Sequence, residues 1–468
     1  MSPLAAALTE PDLDAIPGRL PTGFACSGCG YRLPPEEPVR LACPMARPEQ
    51  DIDHVLVRVL EPSRLAFPSG ADPNPFVRYR TLLHGYHVAR AGGSSDGDVT
   101  RLIRRLDRDV ARVDGHGFRT TPFARADELG AALGLPELWI KDETGNVSGS
   151  HKARHLFGTL LELELGGGER VSSVHRLAIA SCGNAALAAA IVARAAGRSL
   201  EVFIPIDADP AVVARLEALD AQVTVCPRET GAAGDPTFRR LRAAVAEGAV
   251  AFTCQGSLNG LAVEGGETLG WEMTSDLVAR DANLDHIVIQ VGGGALASAV
   301  IQAFGEAYQL GALRSLPAFH AVQTRGAFPL ARAYERLAGR LAGSRLEEDL
   351  ERELAWAATH RSEFMWPWET EPHSVAGGIL DDETYDWLAV AGGMLRTGGV
   401  PVIVDEAALR AANDLAVRHT GVDVDHTGSA GLAGAIELLR RGTIGPDDRV
   451  AVIFTGIRRR SASPGEPT

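Results

Sequence analysis

The sequence is almost devoid of lysine: Lys141 and Lys152 stand against 44 arginines in 468 residues. Cysteine is sparse at six, aromatic residues make up only 6%, and no extended basic block occurs. The net charge is −14, and a field of that sign repels phosphate backbones, so no nucleic-acid partner is expected. No apolar run reaches membrane-spanning length, since even the alanine-rich stretch after Asn184 is cut by Arg194 and Arg198. Residues Met1 to Asp14 are acidic and lack a basic-then-apolar leader, so a cytoplasmic protein without disulfides is expected. What remains is 45% hydrophobic and 23% charged, a composition that excludes global disorder. The length allows two or three domains.

The lysine shortage is itself informative. A coding preference for arginine replaces lysine wherever a positive charge is all that is needed. It stops where a guanidinium cannot do the work: an ammonium can lose its proton and form an imine with a carbonyl, whereas arginine stays protonated. Both survivors lie in one window, Lys141-Asp-Glu-Thr-Gly-Asn-Val-Ser-Gly-Ser-His-Lys152. One of the two is expected to be chemical.

Periodicity gives the organisation. A helix is expected near Asp98–Val113, a strand at Leu138–Ile140, and an amphipathic helix over Lys152–Leu165 with Leu156, Leu160 and Leu163 on one face. Strands at Leu177–Ala180, Leu200–Ile204 and Gln222–Val225 alternate with helices at Asn184–Ala196 and Pro210–Leu219. A strand at Ile287–Val291 leads to a helix from Ala295 to about Tyr308. That alternation predicts an α/β fold of doubly wound parallel sheets. The stretch 340–356 reads as a charged helix with a solvated face, residues 1–20 as a flexible lead-in, and 461–468 as a polar tail.

Four constellations carry chemistry. Ser148-Gly-Ser-His-Lys152 places small residues and a lysine at a helix start, where free N–H groups and the dipole depress an amine's pKa and attract anions. Ser181-Cys182-Gly183-Asn184 is a strand-to-helix turn suited to a carboxylate. Ordinary Ser or Asn caps explain either turn as well when each is taken alone. Gly292-Gly293-Gly294-Ala295 between a buried strand and a helix forms a backbone cradle for phosphate, without the spacing of a dinucleotide or nucleotide-triphosphate motif. Val450–Phe454 is a buried strand ending in Thr455-Gly456, at the carboxyl end where parallel-sheet sites sit. An imine-forming lysine, a phosphate cradle, an anion-binding helix start and a neutral hydroxyl together describe a site for pyridoxal phosphate.

In order along the chain, Thr120-Thr-Pro-Phe, Leu138-Trp-Ile-Lys-Asp-Glu, Ser148-Gly-Ser-His-Lys-Ala-Arg154, Ser181-Cys-Gly-Asn184, the triple glycine and Thr455-Gly456 make the sequence similar to fold type II (tryptophan-synthase-β-like) pyridoxal-phosphate enzymes. Within that family it is most like threonine synthase. The resemblance implies two doubly wound domains with the cofactor between them. It divides the chain into an N-terminal module (1–55), a large cofactor-binding domain (56–149 and 265–460), a small α/β domain (150–264) and the tail. It implies that Lys152 holds the cofactor as a Schiff base and is the catalytic base. Asn184 would contact the ring hydroxyl, Gly292, Gly293, Gly294 and Ala295 the phosphate, and Thr455 the pyridine nitrogen. The turn of Ser181, Cys182 and Gly183 would receive the substrate carboxylate, with Ser148 and Arg154 as further substrate contacts. A neutral Thr455 favours expulsion of a leaving group, hence a lyase acting by elimination or replacement at the β or γ carbon of an amino acid. The stretches Gly115–Phe123 and Asn146–His155 depart from the threonine synthase pattern where the substrate side chain sits. A serine or threonine dehydratase or a β-replacement enzyme is therefore the alternative, and a non-catalytic pyridoxal-phosphate-binding protein a remote one. A homodimer is expected by the same resemblance.

Cys26-x2-Cys29-x13-Cys43 has zinc-ribbon spacing, but Ala46 stands where a fourth ligand belongs. Zinc therefore requires Asp51, Asp53 or His54 as a substitute. Arg458, Arg459 and Arg460, just beyond the Thr455 turn, read as solvated.

Overall fold

A computed structural model describes residues 20–34, 37, 40–166, 176–228, 235–342 and 346–459. The expected lead-in, apart from residue 20, and the expected tail lie outside the described residues. β1 (Thr22–Cys26) pairs antiparallel with β2 (Leu56–Leu60) in a two-stranded ribbon, which therefore runs past residue 55. β3 (Phe123–Arg125) and β4 (Leu138–Asp142) open the main sheet. β5 (Arg176–Ala180), β6 (Ser199–Ile204), β7 (Gln222–Val225) and β8 (Val250–Ala251) form a separate four-stranded sheet. β9 (His286–Gln290), β10 (Ala318–Thr324), β11 (Pro401–Val404) and β12 (Val450–Phe454) return to the main sheet.

The six strands of the main sheet lie in the order β11-β10-β9-β12-β4-β3, all parallel except the β3–β4 pair. The smaller sheet has the order β7-β6-β5-β8 and is parallel throughout. β12 is central, with Ala451 opposite Ile287 of β9 on one side and Trp139 of β4 on the other. All five of its residues are buried, as a strand covered on both faces requires. Its carboxyl end thus delivers Thr455 to the middle of the sheet's edge.

The helix Lys152–Leu165 occupies the expected residues but is not amphipathic: Ala153 through Leu163 are all buried. It is enclosed by the helices Leu261–Ala279, Asn184–Ala195 and His84–Ala91, so every face of it packs on protein. The charged helix of the 340–356 stretch appears as Leu346–Ala358, and it too is less solvated than expected, since Leu350 and Leu354 are buried towards the helix Trp387–Thr397.

The helix Leu261–Ala279 is buried along nearly its whole length although it carries Glu264, Glu267 and Glu272. Buried charges persist only when paired. Arg58 of β2 enters from the ribbon and pairs with Glu264 at 3.1 Å, with Glu306 at 2.7 Å and with Glu267. Glu272 pairs instead with Lys141 and Arg154.

Candidate active site

β4 leads into the turn that carries Lys152. Ser148 in this turn has φ 61°, a left-handed conformation that costs energy for a residue with a Cβ. It is held there from both sides. Its N–H donates to Asp114 Oδ2 at 2.9 Å, and its carbonyl accepts from Arg459 Nη2 at 2.7 Å. Ser150 forms an antiparallel bridge with Gly456, Ile457 N–H donates to the Gly149 carbonyl at 2.9 Å, and His151 N–H donates to the Thr455 carbonyl at 3.1 Å. The lysine turn and the end of β12 therefore form one backbone unit. Lys152 is half-buried at the first position of its helix.

Thr455 is 2% exposed, and Gln290 at the end of β9 donates its Nε2 to Thr455 Oγ1 at 3.0 Å. The same nitrogen lies against the carbonyls of Thr427, Gly428 and Ile453, which fixes the amide's orientation. With its oxygen accepting from Gln290, the Thr455 hydroxyl is left to donate its proton elsewhere.

Three helices begin here: Lys152–Leu165, Asn184–Ala195 and Ala295–Gln309. None receives a cap from any described side chain. The ordinary capping roles open to Ser148, Ser150, Ser181 and Asn184 in the sequence are therefore not taken up. The helix starts keep free N–H groups and positive dipole ends, the arrangement that binds anions.

The glycine cradle follows β9. Gly294 has φ 102°, which turns the chain into its helix. Against the cradle lies the segment Asp381–Asp386: Thr384 Oγ1 donates to the Gly292 carbonyl at 2.9 Å, and Asp386 N–H to the Gly293 carbonyl at 3.0 Å. A Cβ on Gly293 would come within 2.9 Å of the Tyr385 ring, and one on Gly292 would fall on the Asp381 carboxylate. Burial raises the pKa of Asp381 to about 6 against the pull of Lys152. Asp386 is pushed up to about 8 by burial and by Asp53; its carboxylate lies against Gly256, and its Oδ2 has no partner among the described residues. Neither carboxylate nor Gln290 is expected from the sequence, because no local pattern marks them.

In the other turn, Ser181 N–H donates to the Phe203 carbonyl at 3.2 Å and Gly183 N–H to Ser181 Oγ at 3.4 Å. Burial and Asp207 raise the Cys182 thiol, which keeps it protonated. Arg154 is placed elsewhere than expected. It is fully buried, with Nε on Glu143 at 2.8 Å and Nη1 on Glu272 at 2.7 Å, while Lys141 Nζ meets the same Glu272 at 2.5 Å. Its donors are committed to that interior network, beneath the lysine turn, and are not free for substrate. Of the two lysines, then, Lys141 is an interior ion and Lys152 is the one at the helix start. His151, held neutral by burial, has Nδ1 on the Thr455 carbonyl at 3.2 Å and an Nε2 without a partner among the described residues.

Away from this site, Cys26, Cys29, Cys43 and His54 bring their ligand atoms within 4.8 Å of one another. His54 Nε2 meets Gln50 Oε1 at 3.0 Å, while Nδ1 faces Cys26 Sγ at 3.5 Å. Of the possible substitutes for Ala46, Asp51 is engaged by Ser362 and Asp53 by Arg361. Among the described residues no helix is long and apolar enough to cross a membrane.

A parallel four-stranded sheet beside a six-stranded sheet that is parallel but for one edge pair is the architecture of fold type II pyridoxal-phosphate enzymes. It is shared with the processed form of threonine deaminase isoform 2 from Solanum lycopersicum (TM-score 0.56, 16% identity, 78% of this chain and 91% of that one) and with diaminopropionate ammonia lyase from Escherichia coli (TM-score 0.55, 17% identity, 76% and 88%). In sequence the chain is 27% identical to threonine synthase of Methanosarcina acetivorans over 354 residues, 75% of this chain and 76% of that protein. It is 29% identical to the tryptophan synthase beta chain of Bacillus pumilus over 205 residues, 42% and 50%. Residues 116–456 match the family described as pyridoxal-phosphate dependent enzyme, and the chain belongs to that family. The protein is a pyridoxal-phosphate-dependent enzyme.

Proposed function

We propose that the protein is a lyase that eliminates or replaces a group at the β or γ carbon of an α-amino acid, with Lys152 as the residue that holds the cofactor. The observation that carries this reading is the placement of Lys152 on a turn bridged to Thr455-Gly456. The surroundings fit a phosphorylated aldehyde: uncapped helix starts, a cradle with no room for side chains, and the orphaned Nε2 of His151. Threonine synthase of Methanosarcina acetivorans and the cysteate synthase of Methanosphaerula palustris, 26% identical over 348 residues, support the amino-acid substrate.

Bound pyridoxal phosphate would supply a carbonyl for the lysine amine and an electron sink for the substrate's Cα. Gly292, Gly293, Gly294 and Ala295 would hold its phosphate, Asn184 its ring hydroxyl, and Thr455 its pyridine nitrogen. Lys152 Nζ takes the Cα proton and can return it. Thr455, being neutral, donates a hydrogen bond without supplying a counter-charge, so negative charge at Cα is held less deeply and a leaving group departs. Ser181, Cys182, Gly183 and the free N–H groups of the helix Asn184–Ala195 would receive the substrate carboxylate, with Ser148 as a further substrate contact.

Borohydride treatment of the coloured holoenzyme should attach the cofactor to Lys152, located by peptide mapping. An unmodified Lys152 would overturn the reading. Incubation with O-phosphohomoserine, serine and threonine then separates the substrates. Phosphate release supports a threonine-synthase-like reaction, and 2-oxo acid release from serine or threonine supports a dehydratase.

Cys26, Cys29, Cys43 and His54 are proposed to hold a structural zinc ion, His54 supplying the place left by Ala46. The donor set is right for it: three thiols and an imidazole whose second nitrogen is engaged by Gln50. The proposed form is a cytoplasmic homodimer, its chains divided into the ribbon module, a large domain on the six-stranded sheet and a small domain on the four-stranded sheet.

A further inference from the structure

Arg459, one of three arginines that the sequence presents as solvated, is exposed and yet hydrogen-bonded to two residues of the site. Its Nε and Nη2 donate to Asn184 Oδ1 at 3.1 and 2.9 Å, and Nη2 also donates to the Ser148 carbonyl at 2.7 Å. We propose that Arg459 is the positioning residue that fixes the Asn184 carboxamide with its NH2 group towards the cofactor ring. The inference rests on the role proposed above for Asn184.

A guanidinium has only donors, so it can hold a carboxamide only by the oxygen. Oδ1 is thereby turned to Arg459 and Nδ2 to the opposite side. There Nδ2 lies over the backbone beyond Thr455: a Cβ on Gly456 would come within 2.8 Å of it. The absence of a side chain at Gly456 is what admits the amide. The nitrogen, a donor, then meets the ring's phenolic oxygen, an acceptor. A half-turn about the last side-chain bond exchanges oxygen for nitrogen with little change of shape. Only the partner on the far side decides between the two, and Arg459 is that partner. The same guanidinium holds the strained Ser148 carbonyl, so one side chain registers the amide against the lysine turn. Arg458 is engaged elsewhere, its Nη2 donating to Asn413 Oδ1 at 2.6 Å.

The test uses the holoenzyme and four substitutions, namely Asn184→Ala, Arg459→Ala, Arg459→Lys and Arg458→Ala. Cofactor affinity is read by absorbance titration, and the pH midpoint of the visible cofactor band by spectroscopy. Arg459→Ala should move the midpoint in the same direction as Asn184→Ala and weaken cofactor binding about tenfold, the value of one charge-assisted hydrogen bond. The double substitution Asn184→Ala/Arg459→Ala should fall well short of the sum of the two single effects. Arg459→Lys should restore part of the loss, and Arg458→Ala should leave the band unmoved. If Asn184→Ala moves the band while Arg459→Ala does not, or if the two effects add, the inference is overturned. A silent Asn184→Ala overturns the role of Asn184 itself, and the inference with it, while borohydride labelling of Lys152 reports separately on the lysine.

Discussion

The carboxylate of Asp381 lies against Gly292, where an added Cβ would fall on its Oδ2, so a side-chain anion already sits on the loop whose shape suits a phosphate. At short range the repulsion of two anions on one loop is worth several kcal/mol even in a moderately polar medium. With the phosphate placed as proposed, cofactor binding competes with Asp381.

Asp381→Asn is expected to raise cofactor affinity about tenfold near pH 8, since a neutral amide repels phosphate less. Burial sets the carboxyl at about 6. Below that pH the wild-type group is itself protonated, and the two proteins should converge. Absorbance titration with pyridoxal phosphate at pH 8 and at pH 5 measures both. A gap that persists at pH 5 would contradict the competition.

Asp386 is raised from an ordinary 3.8 to about 8, first by burial and then by Asp53. Between those two values the folded chain carries the proton that the unfolded chain has lost. Raising the pH through that window therefore favours unfolding, and the stabilising proton is gone above the folded value. Denaturation of the wild type should cost about 1 kcal/mol less at pH 9 than at pH 7 on this account. Asp386→Asn removes the titrating group with little change of shape and should remove that slope. Urea midpoints at the two pH values check it.

Lys141 is the position where the chain's preference for arginine meets a packing limit. Its Nζ sits between Glu272 Oε2 at 2.5 Å and the Thr121 carbonyl at 2.8 Å, in a site with no exposure at all. Lys141→Arg keeps the charge but adds volume to a filled interior, and should cost about 1–3 kcal/mol. Glu272→Ala strips Arg154 and Lys141 of a shared partner and should cost more, about 3–5 kcal/mol. Denaturant unfolding of both variants gives the order, and the reverse order would refute it.

Purified full-length protein is expected to contain one zinc ion per chain. Cys43→Ala and His54→Ala should each release it. Gln50→Ala should weaken it about tenfold, since it frees the His54 ring without removing a ligand. Chelator competition followed by metal analysis distinguishes these, and a zinc-free wild type with a stable ribbon would rule the site out.

The pieces legible in the sequence are those with local grammar. The rarity of lysine isolates the window containing Lys152, and apolar runs bounded by turn residues announce β5, β6, β7, β9 and β12. Single residues that meet only through topology are not legible. Gln290 ends β9, Asp381 and Asp386 share one loop and Arg459 lies just beyond β12, and the contacts each makes in the site are set by topology and not by its neighbours in sequence. The helix Leu261–Ala279 is obscured for a different reason. Its interior glutamates resemble solvent-facing residues until Arg58, Arg154 and Lys141 arrive from elsewhere to neutralise them. The sequence leaves the fourth metal-ligand position open among three candidates, and only folding brings His54 onto Cys26 while binding Asp51 and Asp53 to other partners.

The bridge between Ser150 and Gly456 also bears on the order of assembly. Chains leave the ribosome from the amino end, so the segment bearing Lys152 emerges long before the strand that frames it. A nascent polypeptide carries the amine without its clamp, and the frame around Lys152 closes only once β12 has emerged.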